Sequence, residues 1–243
     1  MRTPLYLFCG GPGIYGQRRP KPLMRIDGGC SLLKYFLQHL QSSSSPPVSV
    51  TLLCDEGQEE AFFNELKSIE SDLPVRVLAC GPKASTLEKF ECALRDQVDA
   101  QALLRFGYPD VFHMGTEVEP ASVNLVEGLA YISAAPLSSR FPRLVVDVYT
   151  GNIKSISNHK ATVPANPMFV FGGDLWGRVD VMRTLCEQFR AENLNPAPTL
   201  EHDFFFWLIN HQKLRCVMLF GERLWVDSLR DVHRLLQTAQ EPT

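Results

Sequence analysis

Three glycines, Gly10, Gly11 and Gly13, stand directly after the apolar run "PLYLFC". Eight residues beyond the last of them comes Lys21, in the frame Pro20-Lys21-Pro22 and preceded by Arg18 and Arg19. Glycines at such a place have a physical use. Without a Cβ the backbone can approach a phosphate chain closely and aim its N–H groups at the oxygens. Ligands of open α/β sheets lie beyond the carboxyl ends of the strands, which is where this loop falls. Arg18, Arg19 and Lys21 are placed to neutralise a polyphosphate. The spacing matches neither G-x-x-x-x-G-K-[ST] nor G-x-G-x-x-G. On the glycines alone, a tight strand-to-loop turn explains them equally well.

The elements that must position these groups alternate. "CSLLKYFLQHLQ" puts Leu32, Phe36 and Leu40 on one stripe with Leu33 and Leu37 beside them, a helix with Ser31 as its N-cap. "SSSSPP" is a surface loop, and "VSVTLLC" is a β-branched, apolar, buried strand. "EEAFFNELKSI" and "STLEKFECALRDQV" are helices, and "PVRVLAC" and "QALLRFG" are strands. Strand alternating with helix predicts a mostly parallel sheet covered on both faces. The rhythm then changes. "LVVDVYTGNIKSIS" reads as a hairpin around Thr150-Gly151-Asn152, "MFVFGG" as a strand, and "DLWGRVDVMRTLCEQFRAE" (174–192) as a helix. "LEHDFFFWLINHQ" is a helix with core-filling aromatics, "KLRCVMLF" and "ERLWV" are strands, and "SLRDVHRLLQTA" is an amphipathic closing helix. The expectation is one α/β domain over 1–243, with a small antiparallel insertion in the second half.

Composition narrows the function. Of 243 residues, 45% are hydrophobic and 21% charged, an ordinary globular balance, and the net charge of −3 argues against a large nucleic-acid interface. Seven scattered cysteines without a C-x-x-C pair argue against a disulfide framework or a zinc knuckle and favour reduced thiols in the cytoplasm. The six histidines form no metal-ligand spacing. No apolar run approaches the roughly 18 residues of a membrane span, and the start "MRTPLYLFCGG" is too short in its apolar core for a signal peptide.

The pattern "LxGGxGx…PKPLxxIxGxxLLxY", carried by Gly10, Gly11, Gly13, Pro20, Lys21, Pro22, Ile26, Gly28, Leu32 and Leu33, resembles the N-terminal signature of the sugar-phosphate nucleotidylyltransferases. Near the other end, Trp225, Asp227, Leu229, Arg230 and Asp231, with Ser228 for a threonine, look like the C-terminal stretch of the glucose-1-phosphate cytidylyltransferases. Arg140, Phe141, Leu144, Asp147, Gly151 and Ile153, and then Asn166 and Phe169, agree more loosely with the family's middle.

The resemblance implies a Rossmann-like nucleotide-diphospho-sugar transferase fold and a Mg²⁺-dependent reaction that joins a nucleoside triphosphate, CTP by preference, to a sugar 1-phosphate. Lys21, with Arg18 and Arg19, would serve catalysis. Gly10, Gly11, Gly13, Gly81, Ser85 and Thr86 would hold the nucleotide. Asn166, Lys160 and Glu201 would face the sugar phosphate, and Asp110 and Asp227 would hold the metal. Homo-oligomerisation stays open.

Three departures bear on chemistry. The family's G-[ST]-R becomes Gly13-Ile14-Tyr15, so its arginine is missing, with Arg18 or Arg19 as the stand-in. The metal aspartate of "YGD" aligns with Tyr108 in one register and with Asp110 in the other. The second is preferred, because a carboxylate at the end of a strand suits Mg²⁺. The family's E-K-P becomes Asn158-His159-Lys160. These losses leave two other readings open: a non-catalytic homologue that binds or interacts, or a nucleotidyltransferase acting on a non-sugar phosphate or phosphonate.

Overall fold

The computed structural model describes residues 3–10, 19–27, 29–114, 128–136, 143–147, 150–157, 169–218 and 222–238. Gly11, Gly13, Tyr15, Arg18, Lys160 and Asn166 lie outside the described residues. The first half runs β1 (Leu5–Phe8), β2 (Arg25–Asp27), β3 (Cys30–Ser31), α1 (Leu32–Gln41), β4 (Val50–Cys54), α2 (Glu59–Leu66), β5 (Val75–Ala79), α3 (Thr86–Asp96), β6 (Leu103–Gly107) and β7 (Val111–Met114). The second half adds β8 (Ala130–Pro136), β9 (Arg143–Val146), β10 (Ile153–Ser157), β11 (Phe169–Arg178), α4 (Val179–Glu192), α5 (Phe205–Asn210), β12 (Leu214–Met218), β13 (Glu222–Trp225) and α6 (Leu229–Thr238).

Strands β5, β4, β1 and β6 lie side by side in parallel, in that order. β11 continues the same sheet antiparallel to β6 and pairs on its other side with β8, which pairs in parallel with β12. β9 and β10 form the expected antiparallel pair against the N-terminal part of β11. Alternation along β1 sends Tyr6 and Phe8 into a core with Leu87, Phe90, Met182 and Phe204 on one face. Leu5 and Leu7 enter a second core with Leu32, Leu37, Phe62 and Leu235 on the other. Both faces of the sheet are thereby covered, at about 1.5–3 kcal/mol for each large apolar side chain removed from water. Ser31 caps α1 as expected, its hydroxyl accepting from Lys34 N at 3.0 Å.

One element is corrected. The helix expected from Asp174 begins only at Val179, because Leu175–Arg178 continue β11 and pair with β6, while Leu175 and Trp176 also pair with β8. A segment with sheet neighbours on both sides satisfies its backbone in the ladder, and that outweighs the helical propensity of a few residues. Gly177 marks the change of direction. A Cβ there would lie 2.4 Å from Met182 Cε, so the missing side chain lets α4 fold back onto its own strand. The helix expected over "LEHDFFFWLINHQ" opens with a π-helical turn, Leu200–Phe204, before α5. Among the described residues no helix is long and apolar enough to cross a membrane.

Candidate active site

The Pro-Lys-Pro frame folds into a single 3-10 turn, Lys21–Leu23, closed by Leu23 N donating to Pro20 O at 2.9 Å and Met24 N to Lys21 O at 3.1 Å. Pro22 and Leu23 are buried, which pins the turn and directs Lys21 inward. Its ammonium touches the Asp110 carboxylate and lies 2.5 Å from Asp227 Oδ1. These partners stand 89 and 206 residues away along the chain.

A small ribbon brings the two carboxylates together. Asp110 immediately precedes β7 and Asp227 follows β13, and the two strands pair antiparallel, with Val111 opposite Trp225 and His113 opposite Arg223. Val226 N donates to Asp110 O at 2.9 Å, so the pairing runs up to the carboxylates themselves. The Asp231 carboxylate accepts from Ser228 Oγ at 2.7 Å and Asp227 N at 3.3 Å, which shapes the start of α6. Burial raises the Asp110 pKa, and Lys21 opposes the rise. For Lys21 burial works against the charge, but the two carboxylates outweigh it and the pKa is raised. The ammonium therefore stays charged between them.

Lys21 and Asp110 line a cavity of about 210 Å³ together with Gly10, Thr86, Lys89 and Tyr108. Gly10 follows β1 with a φ of +150°. Glu201 ties two walls together. One of its oxygens accepts from the Tyr108 hydroxyl, and the other from Thr86 Oγ1 at 2.9 Å. Burial, and next the Glu201 carboxylate, push the Tyr108 phenol well above its ordinary pKa. Removing this carboxylate strands two hydroxyls, so Glu201→Ala is expected to cost about 1–3 kcal/mol of stability, read from urea unfolding.

A second ionic cluster anchors the ribbon to the sheet. Asp174 on β11 accepts from Arg105 Nε on β6 at 2.9 Å and from Arg223 Nη2 on β13 at 2.9 Å, and His113 Nε2 lies 3.4 Å from it. The Arg223 side chain is only 2% exposed. Burial, reinforced by the Arg105 charge, lowers its pKa.

Of the residues expected at the site, Gly10, Lys21, Thr86 and Asp110 line one cavity, Asp227 meets it through Lys21, and Glu201 backs its wall. Tyr108 and Asp110 both line it, so the two registers weighed for the metal aspartate place neither residue outside. Ser85 is engaged as the N-cap of α3, in a reciprocal capping box with Glu88. Gly81 takes a φ of +112° in the loop below it, and Arg19 is exposed. Sequence reasoning missed Lys89. Its one signal is a lysine four residues before Ala93 on the buried stripe of α3. It also missed the Arg105–Asp174–Arg223 cluster, whose members share no motif.

No protein-family model and no curated protein sequence matches the chain. Solved structures do. HddC from Yersinia pseudotuberculosis superposes with a TM-score of 0.75 at 12% identity, covering 98% of this chain and 100% of that one. The inositol-1-phosphate CTP transferase from T. maritima gives 0.69 at 16% identity, over 100% and 98% of the two chains. The UTP-bound UGPase from Acinetobacter baumannii gives 0.70 at 14%, over 100% and 95%. At such identities the likeness is one of architecture, and by that architecture the chain has the nucleotide-diphospho-sugar transferase fold.

Proposed function

We propose that the protein is a nucleotidyltransferase that joins a nucleoside triphosphate to a sugar 1-phosphate and releases pyrophosphate. The observation that carries this reading is the meeting of Lys21, Asp110 and Asp227 at the carboxyl edge of the sheet, where Lys21 and Asp110 share a cavity with Gly10. A phosphate oxygen of the sugar 1-phosphate attacks the α-phosphorus in line, and pyrophosphate leaves from the opposite side. No covalent enzyme intermediate is needed, so the chain's task is to position two polyanions and neutralise them.

The donor set fits a divalent cation. Two hard carboxylate oxygens already converge on one cation, the Lys21 ammonium, and Mg²⁺ is typically held by one or two carboxylates plus substrate phosphates. Asp110 and Asp227 would hold it. When bound, the ion would supply positive charge that offsets the charge of the phosphates. Lys21 exchanges its carboxylate partners for phosphate oxygens as the nucleotide enters. Thr86 and the Gly81–Thr86 loop border the base, Glu201 keeps Tyr108 and Thr86 in place, and Asn166 and Lys160 meet the sugar phosphate. CTP is the preferred nucleotide, from the likeness of the Asp227–Asp231 segment to the cytidylyltransferases, and a hexose 1-phosphate the preferred acceptor.

The test is pyrophosphate release with each of the four nucleoside triphosphates, Mg²⁺ and a panel of sugar 1-phosphates, inositol 1-phosphate and phosphonates. Turnover with CTP and a hexose 1-phosphate is expected. Turnover confined to a non-sugar acceptor would move the acceptor class, and neither turnover nor nucleotide binding would overturn the reading. Asp227→Asn should lower the rate while keeping the shape of the site, and excess Mg²⁺ or Mn²⁺ should restore part of it. A metal titration of the variant checks this.

A further inference from the structure

Lys89 has no part in the chemistry above, yet the chain goes to some length to keep it. It lies on the buried face of α3 with Leu87, Phe90, Ala93 and Leu94, its side chain 6% exposed. Its ammonium is 2.7 Å from Asp55 Oδ1, just beyond β4. A buried charge is costly even when paired, and an apolar residue of similar length would fill this stripe of α3 at lower cost. The ammonium also lies against Gly10, where an added Cβ would come within 2.3 Å of Lys89 Nζ. Two positions distant in sequence, Asp55 and Gly10, thus flank one ammonium that lines the cavity shared with Lys21 and Asp110.

We propose that Lys89 reads the nucleobase, donating from its ammonium to a ring carbonyl oxygen of the base; this rests on the nucleotidyl-transfer reading above. The layout of the sheet separates the two ends of the cleft. Asp110 follows β6, Gly10 follows β1 and Asp55 follows β4, three adjacent strands. Neighbouring strands are about 4.8 Å apart, so Asp55 stands two strand spacings, on the order of 10 Å, from Asp110, and the Lys89 ammonium lies between Asp55 and Gly10. Charge separates the ends too. Two carboxylates meet one ammonium at Lys21, a net negative end that suits a metal–phosphate assembly. At the other end one carboxylate meets one ammonium, so Lys89 presents a directed donor with little net charge. Such a donor matches a ring carbonyl oxygen, which cytosine and uracil carry at O2 and guanine at O6 and which adenine lacks.

The test is calorimetric binding of CTP, UTP, ATP and inorganic tripolyphosphate to the wild type, to Lys89→Met and to the doubly neutral Asp55→Asn/Lys89→Met. The double variant keeps the inference testable where the single one leaves Asp55 buried and unpaired and fails to fold. The expected result is a loss of about 10- to 100-fold in affinity for CTP and UTP in the variants, the worth of one hydrogen bond to a charged donor, with tripolyphosphate and ATP unchanged. Equal losses for CTP and tripolyphosphate would make Lys89 a phosphate ligand and overturn the inference. Unchanged CTP affinity in variants of a wild type that binds CTP would leave Lys89 a packing residue and overturn it too, while nucleotidyl transfer stood. A wild type that binds none of the nucleotides would overturn both.

Discussion

Replacing Lys21 by alanine is expected to slow pyrophosphate release about 10²–10³-fold, the loss seen when a single preorganised charge-stabilising donor is removed from a dry site. The physical case goes beyond a missing cation. Lys21 is the counter-charge of two carboxylates, Asp110 partly buried and Asp227 half exposed, and without it the two face each other uncompensated. Like charges at such range raise proton affinity and strengthen the hold on a divalent ion. The variant should therefore show a lower rate together with a lower half-saturating metal concentration, a pairing that simple unfolding does not produce. Lys21→Arg should not rescue it, because a planar guanidinium fork cannot reproduce a compact ammonium between two carboxylates. Steady-state rates across a metal titration decide the matter. Wild-type rates in Lys21→Ala would remove this residue from the mechanism.

Asp174→Ala is expected to be the most destabilising single change in the ribbon region. It leaves the Arg105 and Arg223 guanidinium groups without their shared carboxylate, and Arg223 is almost wholly buried. Removing one partner of a buried pair typically costs about 3–5 kcal/mol, and at about 2–4 °C per kcal/mol for a chain of this size the melting temperature should drop accordingly. Two donors of Arg223, Nε and Nη1, have no hydrogen-bond partner among the described residues, so its single link to Asp174 carries more than the usual weight. The same variant should lose turnover even where it remains folded, because Arg223 and His113 anchor the ribbon that carries Asp110 and Asp227. Urea unfolding followed beside activity separates the two effects. A stability loss below about 1 kcal/mol would show that the cluster does not hold the ribbon down.

Much of the fold was legible in the chain, because the signals are local. The stripe of Leu32, Phe36 and Leu40, the Ser31 cap and the β-branched run ending at Cys54 each lie within a few residues, where period and capping act. Lys21 was legible for the same reason, since two prolines around a lysine form a short-range constraint. β8 was not, because "AYISAAP" is rich in alanine and buried along its described length, so it shows no alternation. β7 was not, because four residues have no periodicity of their own and this strand exists by pairing with β13 far along the chain. Resemblance named Asp110 and Asp227 as partners, but only that ribbon sets both on one ammonium. Lys89 beside Gly10, and Asp174 between two arginines, were decided by tertiary structure alone. Each is an electrostatic meeting of side chains from elements remote in sequence, and a linear pattern records which charges exist but not which ones share a buried volume.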